Sequence, residues 1–343
     1  MPARVSLDGA TWSMMPSQPK TLETGTPTGV ELELKPTSVH TDEHHDAGHT
    51  TLNKIVNLVF VIVPFIGLLA AIVLVWGWGF SWVQLAVLGG MYLISGLGVT
   101  IGFHRYFAHK SFDTGPVVKT LLGVSGSMAA EGSIVRWVSF HRCHHQHSDH
   151  EEDPHSPHTH GAGVLNTLRG FWRAHVGWIF ENQGPRSWRY APDLMRDKLV
   201  RRLSLLFPLW VTVGLLIPTI IAGVVTLSWW GALLGFIWGG LVRILLVHHV
   251  TWSINSVCHL WGTRPFVSRD ESRNNPVFGV LGLGEGWHNN HHAFPTSARH
   301  GLRWWEIDVS YLTILLMSKV GLVRNVRVPT PERMESRRRR NHN

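Results

Sequence analysis

Two stretches of this chain carry no charge at all. None of residues 55–104 is Asp, Glu, Lys or Arg, a run of 50, and the same holds for the 40 residues 203–242. A helix that spans a bilayer takes about 20 apolar residues, so each run is long enough for two spans and a tight turn. The expected spans are 55–77, 82–103, 203–227 and 229–249. The turns fall near Gly77-Trp78-Gly79-Phe80 and Ser228-Trp229-Trp230-Gly231, where Trp suits the aromatic belt at a membrane interface. Two buried hairpins of a soluble protein are the weaker alternative, because soluble cores rarely run this far without a charge.

All 31 Lys and Arg lie in the N-terminal arm, in 105–202, or from Arg243 onward. The positive-inside rule puts those segments, and both termini, on the cytoplasmic side of the cytoplasmic membrane. The net charge of +8 and the run Arg337–Arg340 suit an anionic leaflet, and the hydrophobic bulk argues against a nucleic-acid partner. Residues 1–50 are rich in Thr, Pro, Ser and charge and are expected to be disordered. They lack the apolar core of a signal peptide. Their histidines, His40, His44, His45 and His49, have nothing to hold them in place. Cys143 and Cys258 form no CxxC pair and are expected to be reduced packing residues.

Histidine carries the chemistry. His141, His144 and His145 recur in spacing as His288, His291 and His292. Positions 0, 3 and 4 share one face of a helix, so each triplet can point at one spot. Neutral imidazole is the commonest metal ligand. His104 and His109 follow the first apolar run directly. Five residues apart, they fall about 140° apart on an α-helix, which implies different ions or a bend between them. Asn255 and His259 lie four apart, on one face, just after the second run. His104, His109, His141, His144, His145, His259, His288, His291 and His292 make nine candidates. A structural zinc site takes four ligands, so nine suggest two ions. Imidazole suits Fe, Zn, Cu and Ni alike. A metal pair just outside the bilayer, on a protein with little soluble bulk, suggests a lipidic substrate. His147, His150, His155, His158 and His160 lie in a polar, Pro-broken segment and are the hardest to place.

The patterns HRYFAH at 104–109, HRCHHQHSDHEEDPH at 141–155 and GEGWHNNHH at 284–292, with FWRAHVGW at 171–178 and NSVCHLWG at 255–262, resemble the membrane-bound fatty acyl-CoA desaturases of the stearoyl-CoA Δ9 type. The resemblance covers roughly residues 95–325. It implies an all-α integral membrane protein with four transmembrane helices in two hairpins. A helical cytoplasmic cap, 104–202 and 250–325, would hold a di-iron site, and 326–343 would form a basic tail. It implies that all nine histidines bind iron and that Asn255 holds a metal-bound water. The activity implied is removal of two hydrogens from a methylene pair at Δ9 of a substrate such as stearoyl-CoA, with O2 as co-substrate. That chemistry fits the ligands, since an alkyl C–H bond offers acids and bases no handle and calls for an oxidising metal held in a dry, shaped site.

In animal members of that family Arg-Asp precedes the central box and the Arg meets the CoA headgroup; here Ser139 and Phe140 stand there. Arg136, Arg142, Arg169, Arg173 and Arg186 are the alternative phosphate partners. Trp137, Trp252 and Trp261 are candidate walls of an acyl tunnel. No His-Pro-Gly-Gly haem motif occurs, so electrons are expected from a separate ferredoxin or flavin/iron–sulfur reductase, as in bacterial relatives, docking on the basic face. Zinc can replace iron in such a site because it binds more tightly than Fe(II). The alternatives are an acyl-lipid or acyl carrier protein desaturase, a hydroxylase with the same boxes, or a membrane zinc-binding or transport protein. Transporters, however, place ligands near the midplane, and here they cluster at span ends.

Overall fold

The computed structural model describes residues 51–75, 81–181 and 184–339. The N-terminal arm with its four histidines and the first hairpin turn lie outside them. Among the described residues, four helices are long and apolar enough to cross a membrane. They are α1 (Thr51–Val75), α2 (Trp82–Ala108), α7 (Phe207–Thr226) and α8 (Trp229–Ser256). Between the hairpins lie α3 (Pro116–Ser127), α4 (Ile134–His147), α5 (Val164–His175) and α6 (Lys198–Leu205). After them come α9 (Pro276–Leu281), α10 (His288–Ala293), α11 (Val309–Lys319) and α12 (Pro331–Arg337).

The spans differ from the expected ones at their ends. The third begins only at Phe207, because α6 is a separate helix capped by Asp197, whose side chain accepts from Leu199 and Val200 N–H. The second and fourth run further, to Ala108 and Ser256. These two are half or more buried (50% and 61%), whereas α1 and α7 are 17% and 22% buried. So α2 and α8 form the inner pair and α1 and α7 face lipid. Arg243, a charge that ends the second apolar run in the sequence, is fully buried within α8. It donates to the carbonyls of Gly239, Gly214 and Met128, which offsets the cost of taking a cation out of water.

Both inner helices contain a π-helical segment, Gly98–Ala108 in α2 and Phe236–Val242 in α8. In α2 the wide turns meet α3 backbone to backbone. A Cβ on Gly98 would lie 2.2 Å from the Gly126 nitrogen, and one on Gly102 would lie 2.8 Å from the Leu122 carbonyl oxygen. Phe103 and Phe107 pack with Ile134, Val138 and Leu203, which fixes the end of α2 against α4 and α6. A two-residue antiparallel clasp, Asp113 with Arg324 (β1, Asp113–Thr114; β2, Val323–Arg324), ties the exit of α2 to the chain after α11. The described part of the basic tail is packed: α12 sets Met334 on Phe266 and Phe294, and Arg337 donates to the carbonyl of Ala293, at the end of α10.

The contact between α2 and α3 predicts that Gly98→Ala costs about 1–3 kcal/mol through overpacking. Gly89→Ala, with nothing within 4 Å of the added carbon, is expected to be neutral. Thermal unfolding of the detergent-solubilised variants checks this, and equal melting of both would refute the close approach.

Candidate metal centre

The π segment decides where the first box points. The His109 N–H donates to the His104 carbonyl, 3.1 Å, an i to i+5 bond. A wider turn brings residues five apart onto one face, and the two rings lie 4.9 Å apart. The expected 140° separation therefore does not occur, and both serve one nest. On α4, His141 and His145 share a face with rings 4.6 Å apart, while His144 turns to the other side. On α10, His288 and His292 pair at 4.4 Å, and His291 points across to His104 and His145. Neither triplet converges on one spot. Each is divided, so that both helices feed both of two nests. The first is His104, His109, His141, His145 and His291; the second is His144, His259, His288 and His292. Within each nest the ligand nitrogens lie within 4.8 Å of one another.

Carboxylates orient the rings from behind. Nδ1–H donates from His144 to Asp153 (3.0 Å), from His259 to Asp149 (2.9 Å), from His292 to Asp270 (2.6 Å) and from His104 to Glu285. This fixes the tautomer and turns the Nε2 lone pair inward, as the carboxylate–histidine pairs of metal sites do. Arg105, fully buried, holds Glu285 in place (2.6 Å) and Asp308 beside it (3.0 Å). Burial pushes Glu285 up to about 8, against the pull of Arg105. The three aspartates are held below the usual carboxylate range: burial raises each, but the histidine it faces outweighs burial.

The nitrogens that face inward fit a cation. The Nε2 atoms of His144 and His292 are buried with no protein partner. Elsewhere, ring nitrogens meet each other: Nε2 of His109 and His141 at 2.7 Å, of His145 and His291 at 2.9 Å, of His104 and His291 at 3.0 Å, of His259 and His288 at 3.1 Å. The Nδ1 hydrogens of His104 and His259 go to carboxylates, so their Nε2 lone pairs face another imidazole. Burial, reinforced by neighbouring imidazoles, drives His141, His145, His288 and His291 well down and His109 to about 3. All five are neutral at pH 7, the state in which imidazole binds metal.

Five participants carried no signal in the spacing of the boxes: Asp149, Asp153, Asp270, Glu285 and His300. His300 is buried, 4.5 Å from the His291 ring and 5.3 Å from His104. Of the unplaced histidines, His155 is buried beside His144 and Asp153, and His158 donates Nε2–H to the His259 carbonyl, 2.9 Å; His147, His150 and His160 belong to neither nest. Cys143 and Cys258 are free, buried and outside the nests.

An apolar cavity lined by Tyr92, Val99, Val247, Ile254 and Leu283 ends on His104, His141 and His288, with Asn255 and Glu285 in its wall. Trp137 stands between cavity and nest, stacked on His141 at 5.0 Å and donating Nε1–H to Glu131, 2.9 Å. A second space, lined by Arg136, Phe140, His155, Trp178 and Trp252, shares Trp137, His141, Thr251 and Asn255 with the first. Trp137 and Trp252 thus line the channel. Trp261 does not: it is 53% exposed, against Phe171. Of the arginines, Arg142 is bound to Asp193 and the Phe107 and Ala108 carbonyls, and Arg173 is bound to Glu181. Arg169 is exposed on a separate surface, and Arg186 lies over Trp188. Of these five, Arg136 lines the second space.

The family described as Fatty acid desaturase matches residues 76–308. The chain belongs to the fatty acid desaturase family. Among its relatives are the hex-5-enoyl-(acyl-carrier protein) acetylenase of Moorena producens (strain JHB), 44% identical over 82% of this chain and 88% of that one. The sn-1 stearoyl-lipid 9-desaturase of Anabaena variabilis is 37% identical over 80% and 93%, and the acyl-CoA C20 Delta5-desaturase of Anemone leveillei is 38% identical over 73% and 76%. The family is a di-iron one, and this desaturase presents two nests that can hold metal. Asp153→Asn is expected to weaken binding in the second nest about 10–100-fold, and His144→Ala to lower metal from two ions per chain toward one. Elemental analysis of purified protein reads both; two tightly held ions in His144→Ala would refute the division of the triplet.

Proposed function

We propose that this desaturase inserts a cis double bond at Δ9 of a long-chain saturated acyl group such as stearoyl. The observation that carries the reading is the apolar channel passing both nests, since a saturated chain offers nothing to recognise except its length and shape. The nine histidines hold two irons, with their carboxylates setting ring tautomer. Asn255, which lines the channel together with His141 and His288, would hold a water at the metal site. The bound irons supply the oxidation of an unactivated C–H bond with O2. Two hydrogens leave the chain, a separate ferredoxin or flavin/iron–sulfur reductase provides two electrons, and with two protons from water the O2 becomes two waters. Trp137 forms a rigid wall at the reacting carbons, which fixes the bond position by placement. The nests and the basic cap lie on the cytoplasmic side, where the donor docks.

The carrier of the acyl group is a separate matter. The names of the relatives include acyl carrier protein, lipid and CoA. The CoA thioester expected from the sequence calls for several phosphate partners, and two of the five candidate arginines are engaged with carboxylates.

Membranes containing the protein, given reduced ferredoxin, O2 and stearoyl substrates, are expected to yield cis-9 octadecenoyl product by gas chromatography–mass spectrometry. The product is expected to vanish in His144→Ala. An alcohol would make the protein a hydroxylase, and another bond position would remove the Δ9 assignment.

A further inference from the structure

Beyond Arg136 the channel opens out. The outer cavity holds about 260 Å³, against 50 and 60 Å³ for the two inner spaces. Glu131, Arg136, Trp178 and Trp252 line both the outer cavity and the space that reaches His141, so the three spaces adjoin, and we read them as one passage. The outer walls are Asn57 and Phe60 of α1 and Phe207 and Pro208 of α7. These are the two lipid-facing spans, at the ends where α1 and α7 begin. The mouth therefore lies between spanning helices, at the depth where a bilayer carries its headgroups.

The neck of this passage has an uncompensated cation. Among the described residues Arg136 forms no ion pair with a carboxylate; its guanidinium carbon lies 5.4 Å from the Phe140 ring centre. Glu131, its neighbour in the lining, does not serve as counter-ion. It is engaged elsewhere, accepting from Trp137, 2.9 Å, and from Thr251, and burial pushes the carboxyl up to about 7. A partly buried guanidinium without an anion is costly unless a ligand supplies one, and its fork matches phosphate. Exposed Lys54 precedes Asn57 on α1, and exposed Arg201 and Arg202 precede Ser204, another lining residue, on α6. The rim thus adds cations around the same mouth.

We propose that Arg136 binds the phosphodiester of a membrane glycerophospholipid whose acyl chain passes between α1 and α7 to the histidine nests. On this view the substrate is an acyl group still esterified to bilayer lipid. The proposal rests on the desaturase reading and adds the carrier. A soluble thioester would have to reach the passage from the aqueous side of the cap, whereas a lipid already lies against α1 and α7 with its phosphate at the level of Arg136.

The test uses the iron-loaded full chain with a reduced ferredoxin system. It is given vesicles of 1-stearoyl-2-oleoyl-phosphatidylglycerol, vesicles of stearoyl monogalactosyl lipid, stearoyl-CoA, or stearoyl-acyl carrier protein. The expected result is a new double bond recovered in phosphatidylglycerol. Arg136→Gln is expected to raise the apparent KM for that lipid about tenfold or more, with kcat and iron content little changed. A phosphatidylglycerol carrying a photoactivatable acyl chain is expected to label residues 56–61 and 207–208, and Asn57→Trp is expected to abolish the label while the protein elutes as wild type. Product from CoA or carrier protein alone would overturn the inference and leave the desaturase reading standing. Equal turnover of the neutral galactolipid, or an unchanged KM in Arg136→Gln, would overturn the phosphate assignment. No product from any carrier, with iron bound, would remove the desaturase reading as well.

Discussion

Much of this fold serves to hold nine imidazoles together in two nests, with ring nitrogens converging on two points. Each lone pair aimed inward without a donor forgoes about 1–3 kcal/mol, and here the pairs converge on two points. Such an arrangement is unfavourable unless a cation shares them, so something else must prevent the rings from turning away. The carboxylates behind His104, His144, His259 and His292 do this. Each gives the outward nitrogen a stronger partner than it would find by rotating. Asp149 also accepts from the Glu271 N–H, and Asp153 from the His155 N–H, so these carboxylates are themselves fixed by backbone.

The backbone around the nests is correspondingly stiff. His104 and His109 converge only because α2 ends in π turns, and those turns are held by glycine-to-backbone contacts with α3. Arg105 follows His104 in sequence and points away from the nest, where it binds Glu285, Asp308 and the Ala298 carbonyl. One residue supplies a ligand and the next braces the carboxylate that orients it. The same division recurs on α10: His291 and His292 face the nests, while Asn289 and Asn290 bind the Phe266 N–H and the His300 carbonyl.

Much of this was legible in the sequence, for a physical reason. Charge-free runs and closely spaced histidines are local patterns, and local patterns survive in one dimension. The four spans and the nine histidines of the two nests were read that way. The π turn was not, because a helix of 3.6 residues per turn is the only period that spacing arguments assume. The division of His141, His144 and His145 between two nests was missed for a related reason: the arc that lets three rings share one face is wide enough to serve two centres on either side of it. Asp149, Asp153 and Glu285 stand inside the quoted patterns, but which ring each one serves is not a matter of spacing, since two of the pairs act across the fold. Asp149 and His259 are 110 residues apart, Glu285 and His104 are 181 apart. Arg142 and Arg173 looked available for phosphate because their partners, Asp193 and Glu181, are set by tertiary packing.

The two nests are electrostatically unlike. Behind the second stand three aspartates, each held below the ordinary carboxylate range by the histidine it faces. Behind the first stands one glutamate, already paired with Arg105 and pushed up by burial to about 8. The second nest thus has three aspartates one ring away, while the first has a single glutamate paired with Arg105. At separations of this order, in a medium far less screening than water, such a difference matters more than ligand count. Five imidazoles against four makes the nests look nearly equivalent; their surroundings favour positive charge more strongly in the second. The channel touches both, at His104 and His141 of the first and His288 of the second.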